Sequence, residues 1–143
     1  MIVVGVDGSE GGAAALQFAA AEAALRKTPL RAVSAWEIPT AVYTAGTAPP
    51  VDPATLELFR QRAEQLTEEA VATVKGLQPS VEVEGVSGAG QPADVLLAQG
   101  ADAELIVVGR RGLGGFRSLL LGSVSQQVVQ HATCPVVVVQ HPA

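Results

Sequence analysis

The stretch LIVVGRRGLGGFRSLLLGSV, residues 105–124, decides how this chain is read. It opens on Leu105-Ile106-Val107-Val108, a short uninterrupted apolar run of the kind that forms a strand buried on both faces. It closes on Gly122-Ser123, where a helical pattern begins: Val124 and Val128 share one face, and the pattern ends near His131. Between these limits lie Gly109, Gly112, Gly114, Gly115 and Ser118, residues that let backbone amides approach an anion closely. A strand, a glycine-rich turn and a helix N-terminus are the parts from which phosphate cradles are built. Nucleotide binding is therefore the function the sequence points to.

Working outward, the chain alternates strand and helix throughout. Ile2 to Val6 reads as a first strand. Asp7-Gly8-Ser9 turns the chain, with Ser9 placed to cap a helix from Gly11 to Arg26. That helix is rich in alanine and offers Leu16, Phe18, Ala20 and Ala24 for close packing, and Thr28-Pro29 ends it. Leu30 to Trp36 is a second strand. Glu37 to Pro53 holds four prolines and no periodicity, so it reads as a long loop. Leu56, Phe59, Ala63, Leu66, Ala70, Val74 and Leu77 then trace one helical stripe. Val81 to Val86 alternates as a strand with one exposed face does, Gly88 to Pro92 reads as a turn, and a short helix runs through Leu97. The fourth strand is Leu105 to Val108, and Pro135 introduces a fifth, Val136 to Val139.

This order implies one α/β domain over residues 1–143, a five-stranded parallel sheet with helices on both faces. The order 3-2-1-4-5, flavodoxin- or Rossmann-like, puts the alternating third strand at one edge. It leaves the flat valine strand at the other edge, where an unpaired backbone invites association. The expectation is that a second subunit covers Val136–Val139, giving a homodimer.

Composition narrows the partners. The 143 residues carry a formal charge of -5 and no basic run, which argues against nucleic acid. Only Arg110, Arg111 and Arg117 gather, and they do so around the glycine-rich loop. Mean hydropathy is +0.33, yet only 3% of residues are aromatic, so the core is built from Val, Leu, Ile and Ala. A single cysteine, Cys134, excludes an internal disulfide and any multi-cysteine metal site. No apolar run approaches the roughly 20 residues that span a bilayer. The start of the chain lacks the pattern of a signal peptide. A cytoplasmic protein without membrane contact is the expectation.

In open α/β sheets ligands bind beyond the carboxyl ends of the strands, where successive connections diverge. With the order above, that crevice lies between the first and fourth strands. Asp7 follows the one and Gly109 follows the other, so two distant segments converge on one point. Two known phosphate patterns are excluded. The P-loop needs a lysine, and none follows Lys75; the dinucleotide pattern Gly-x-Gly-x-x-Gly fails because Arg117 stands where its last glycine would be.

What remains is Gly109-x2-Gly112-x9-Gly122-Ser123, which resembles the ATP-binding signature of the universal stress protein family. Val6-Asp7-Gly8-Ser9, Gly90-Gln91-Pro92 and the ending Cys134-Pro135 followed by four valines extend the resemblance over the whole chain. It implies a dimer of flavodoxin-like domains that binds ATP, with Mg²⁺, or AMP or ADP. Carried over by position, Gly109, Gly112, Gly122 and Ser123 would hold the phosphates and ribose, and Val124 would offer its amide. Asp7 would contact the ribose or adenine edge, and Ala35 would bond adenine through its backbone. Arg110 lies between the first two glycines, where the family varies. The implied role is a nucleotide-dependent sensor or switch in stress response, with an unidentified downstream protein as partner. A slow ATPase or nucleotidyl transferase, and an interaction module without nucleotide, are the alternatives. No catalytic residue is assigned: neither histidine fits a His-x-Gly-His pattern.

Several residues have plainer readings. Asp7 is open to a second role as a helix cap. Trp36 at a strand end suits partial burial as well as adenine packing. Cys134 reads as a small apolar residue, His131 as a helix-ending cation, and Glu68-Glu69 as a solvated face. His141 is open to a solvated or dimer-contact position, and neither histidine has a partner at metal-ligand spacing.

Overall fold

A computed structural model describes residues 1–37, 51–113 and 120–141. Alternation of apolar residues within each short strand builds two cores rather than one. Strands β1 (Ile2–Gly5), β2 (Leu30–Trp36), β3 (Val83–Ala89), β4 (Leu105–Gly109) and β5 (Val136–Val139) form a single sheet in the order β3-β2-β1-β4-β5. All four pairings are parallel. Ile2, Val4, Leu105 and Val107 face one side, against Ala15, Ala19 and Ala23 of α1 (Glu10–Arg26) and Ala70 and Val74 of α2 (Pro53–Leu77). Val3, Val33, Ile106 and Val108 face the other, against Ala93 and Leu96 of α3 (Pro92–Gln99) and Val128 of α4 (Ser123–His131). With side chains alternating along a strand, a run such as Leu105-Ile106-Val107-Val108 must be apolar throughout to serve both cores. This is the doubly covered sheet expected from the sequence.

Local signals place the helix ends. Ser9 caps α1, its hydroxyl accepting from the Gly12 amide at 3.0 Å. The helix ends on Lys27 in the left-handed region (φ 54°), where the Thr28 amide reaches back to the Ala23 carbonyl at 3.1 Å. Leu16 and Ala20 are buried as expected, but Phe18 is 37% exposed. The 3.6-residue period aims Ala15, Leu16, Ala19 and Ala23 at the sheet and turns Phe18 off that face.

Several element ends differ from the sequence reading by one or two residues: β1 stops at Gly5, α1 starts at Glu10, α3 runs to Gln99 and β4 to Gly109. Two further differences have a clear local cause. The loop ends at Asp52, not Pro53: Asp52 caps α2 by accepting from the Ala54 amide at 3.2 Å, and Pro53 occupies the first helical turn, where its missing donor costs nothing. Residues 38–50 of that loop lie outside the described residues. The third strand runs from Val83 to Ala89 rather than Val81 to Val86, and so takes up Gly88 and Ala89 from the expected turn. Pairing with all seven residues of β2, Leu30 with Val83 through Trp36 with Ala89, fixes this register. The glycines are strand residues because helices lie on them: a Cβ at Gly88 would stand 2.7 Å from Val95 Cγ1, and one at Gly85 would stand 2.8 Å from Thr67 Cβ.

Strand β5 lies at the end of the sheet, as expected, with its four valines half-buried. Val137 and Val139 pack on the α1–α2 core, and Val136 and Val138 on the α3–α4 core. Among the described residues no helix is long and apolar enough to cross a membrane.

Candidate functional site

The chain leaves β1 toward α1 on one face of the sheet, and β4 leads on to α4 on the other. Between their carboxyl ends a crevice must open. A cavity of about 280 Å³ occupies it, lined by Val6, Asp7, Ser9, Gly12, Val33, Ala35, Leu96, Val108, Gly109, Arg111, Gly112, Leu113 and residues Gly122 to Ser125, with Gly5 and Pro92. Seven of the eight residues singled out from the sequence thus meet in one space: Asp7, Ala35, Gly109, Gly112, Gly122, Ser123 and Val124.

Asp7 organises the β1 side. Its Oδ1 accepts from the Ser9 amide at 2.9 Å and from the Ser9 hydroxyl, and its Oδ2 accepts from the Leu113 amide at 3.2 Å. Ser9, not Asp7, is therefore the cap of α1, and Asp7 holds that cap while reaching across to the loop after β4. Gly8 between them has φ +82°, a left-handed conformation that favours glycine.

The loop after β4 closes on itself. The Arg110 carbonyl accepts from the Gly122 amide at 2.8 Å and from the Ser125 hydroxyl at 2.8 Å, so the two glycine clamps of the loop, Gly109 with Gly112 and Gly122 with Ser123 and Val124, are joined at their base. Ser125 is buried, and it also donates to the Gly122 carbonyl at 3.1 Å. The N-terminus of α4 carries no side-chain cap: the Gly122 amide is taken up by Arg110, while Ser123 and Val124, whose first-turn amides have no acceptor within the helix, line the cavity. Such a helix start favours negative charge.

Arg110 is the exception among the residues expected at the site. Its Nη1 donates to Gln140 Oε1 at 2.9 Å, beyond β5, and it does not line the cavity; Arg111 does. The Arg110 amide bonds the Val139 carbonyl at 3.0 Å, which continues the β4–β5 ladder and carries its side chain toward the sheet edge. Arg117 and the rest of residues 114–119 lie outside the described residues. Leu120 is 86% exposed and Leu121 half-buried, so Leu120 does not serve as packing.

Sequence reasoning passed over Gly11, Gly12 and Ser125. The available signals were two adjacent glycines in the first turn of a helix, where alanine is favoured, and a second serine two residues after Ser123. Trp36 does not line the cavity. Cys134 is half-buried against the α3–α4 core, as a small apolar residue would be. His131 is exposed at the end of α4, and His141 Nε2 lies 3.9 Å from Glu10 Oε2. Among the described residues no three His, Cys, Asp or Glu side chains converge as metal ligands.

The model of the universal stress protein family matches residues 1–140. The chain belongs to the universal stress protein family. A universal stress protein of Mycolicibacterium smegmatis is 37% identical over 139 residues, covering 97% of this chain and 45% of the relative. The chain thus spans about half the length of that relative. Among solved structures, a universal stress protein in complex with cAMP superposes with a TM-score of 0.69 at 26% identity, covering 97% of this chain and 94% of the other. The universal stress protein from Archaeoglobus fulgidus in complex with dAMP gives 0.64 at 27% identity, covering 96% and 94%. The flavodoxin-like fold, with its sheet in the order β3-β2-β1-β4-β5, is shared with the universal stress protein UspA from Lactobacillus plantarum, which superposes with a TM-score of 0.77 at 22% identity, covering 96% of this chain and 95% of the other.

Proposed function

We propose that this universal stress protein binds an adenine nucleotide, ATP with Mg²⁺ first and AMP or ADP as alternatives, and acts as a homodimeric, nucleotide-dependent switch in stress response. One observation carries the reading: the uncapped start of α4 and the glycines of both clamps line a single cavity with an apolar wall of Val33, Leu96 and Val108. That wall suits a flat base, and the helix start suits phosphate. The two related structures with cAMP and dAMP support the adenine nucleotide class.

On this reading residues 1–143 act as one nucleotide-binding domain. Gly109, Gly112, Gly122 and Ser123 hold the phosphates and ribose, and the Val124 amide adds a donor. Asp7 meets the ribose or adenine edge, and Ala35 bonds adenine through its backbone. Arg110 acts through its carbonyl, which ties the loop, rather than through its guanidinium. The donor set also fits Mg²⁺ arriving with the nucleotide, since that ion usually takes one or two carboxylates beside phosphate oxygens and water. Asp7 and the Ser123 hydroxyl are the groups that would hold it. Dimerisation follows from β5, whose outer edge a second copy would cover. The downstream protein partner would read the nucleotide state of that dimer, in the cytoplasm.

The test is to purify the protein natively, denature it, and identify released nucleotide by mass spectrometry. Added ATP at about a hundred times its Kd should stabilise the fold by about 2.7 kcal/mol, several degrees in Tm. A protein free of nucleotide whose Tm ignores ATP would overturn the reading. Turnover above roughly 1 s⁻¹ in the same preparation would favour an enzyme instead.

A further inference from the structure

Gly11 and Gly12 open α1, where alanine would suit a helix better. Neither needs a glycine's conformational freedom, because the positive-φ glycines among the described residues are Gly8 and Gly90. Room explains Gly11. A Cβ on Gly11 would stand 2.4 Å from the carbonyl oxygen of Arg111. The contact is reciprocal: a Cβ on Gly109 would stand 2.6 Å from the carbonyl carbon of Gly11 and 2.7 Å from its oxygen. Both obstacles are main chain and cannot rotate aside as a side chain does. Gly11 is buried yet does not line the cavity, so contact with a ligand does not account for it.

We infer that Gly11 is a positioning residue of the nucleotide site: its bare Cα seats the turn from Gly109 to Gly112 on the first turn of α1 and so sets where that turn faces the cavity. The ligand side of this inference rests on the nucleotide reading above; the seat itself does not. A side chain at residue 11 lifts the turn away from α1. The Leu113 amide moves with it and leaves Asp7 Oδ2, 3.2 Å away in the seated loop. The apolar wall of Val33 and Leu96 stands on β2 and α3 and does not move. Contacts on the phosphate side are therefore lost while those on the base side are kept.

Gly11→Ala tests this, with ATP and adenosine as probes and amide hydrogen exchange on the ligand-free protein. The expected result is at least a tenfold loss of ATP affinity, adenosine affinity within twofold of the parent, and faster exchange at Leu113 without change across β2. Gly76→Ala, at a position with nothing within 4 Å, serves as the control and leaves both affinities unchanged. Equal losses for ATP and adenosine, or an unchanged ATP affinity, overturn the inference. If the parent protein binds neither probe, the nucleotide reading fails on its own, and exchange decides the seat: unchanged protection at Leu113 overturns it. Should Gly11→Ala not fold, Gly109→Ala reaches the same contact from the other side, and a loop whose exchange ignores that change overturns the seat equally.

Discussion

Gly112 has no side chain where one would strike the Asp7 carboxylate: a Cβ there would stand 2.3 Å from Oδ2. The same oxygen accepts the Leu113 amide, while Oδ1 holds the Ser9 cap of α1. One carboxylate therefore ties the start of α1 to the loop after β4, across the crevice between β1 and β4.

Replacing that carboxylate should cost stability as well as ligand. Hydrogen bonds to charged groups contribute about 1.5–3 kcal/mol, and partial exposure puts this one at the lower end. Asp7→Ala is expected to lower Tm by roughly 3–8 °C and to weaken ATP binding, while Asp7→Asn, which keeps an acceptor, loses less of both. Calorimetric melts of the two variants check it; a Tm for Asp7→Ala equal to the parent's would show that the link adds no stability.

At the other clamp, Gly122 lies with its Cα facing the loop base. A Cβ there would be 3.3 Å from Arg111 Cα and 3.4 Å from the Arg110 carbonyl oxygen, and the branches of valine would press further. Gly122→Val is expected to abolish ATP binding in titration calorimetry while leaving the proposed dimer intact in sedimentation. Dissociation of this variant would place the loop in the dimer contact instead.

The outer edge of β5, at the end of the sheet, gives a separable prediction for the proposed dimer. The carbonyls of Pro135 and Val139 accept from the Ile106 and Arg110 amides, so by alternation the amides of Val136 and Val138 point away from β4. Val138→Pro removes an outward donor without touching that ladder, a substitution edge strands tolerate. Sedimentation is expected to show monomers with unchanged far-ultraviolet circular dichroism. A persistent dimer would mean that the subunits meet elsewhere.

Lys27 ends α1 in a left-handed conformation, which costs a non-glycine residue about 1 kcal/mol. Lys27→Gly is expected to raise Tm by roughly 2–4 °C, since the cap bonds from the Lys27 and Thr28 amides remain. A lower Tm would mean that the lysine side chain contributes more than its backbone strain removes.

The patterns that were readable in advance are those in which a residue's neighbours in sequence settle its environment. Leu105 to Val108 reads as a doubly covered strand because, with side chains alternating between faces, so short a run is apolar throughout only if both faces are packed. Ser9 had to cap a helix because its hydroxyl meets an amide three residues on. The third strand was misplaced by two residues at its start for the opposite reason. Val81 and Val83 alternate with Glu82 and Glu84 as a strand would, but pairing with β2 begins at Val83, and Gly85 and Gly88 are glycines to admit Thr67 and Val95 from other elements.

The sequence by itself determined the parallel sheet, its order, the crevice between β1 and β4, and the two glycine clamps that line it. These follow from periodicity, turn chemistry and spacing, which are local properties of the chain. Tertiary structure alone decided that Arg111 rather than Arg110 lines the cavity, that Ser125 ties the loop at its base, and that Gly11 supports the turn from below. Each of these depends on contact between segments remote in sequence. The direction of a loop side chain and the depth of a turn are set by which distant main-chain atoms close upon it, and no local pattern records that.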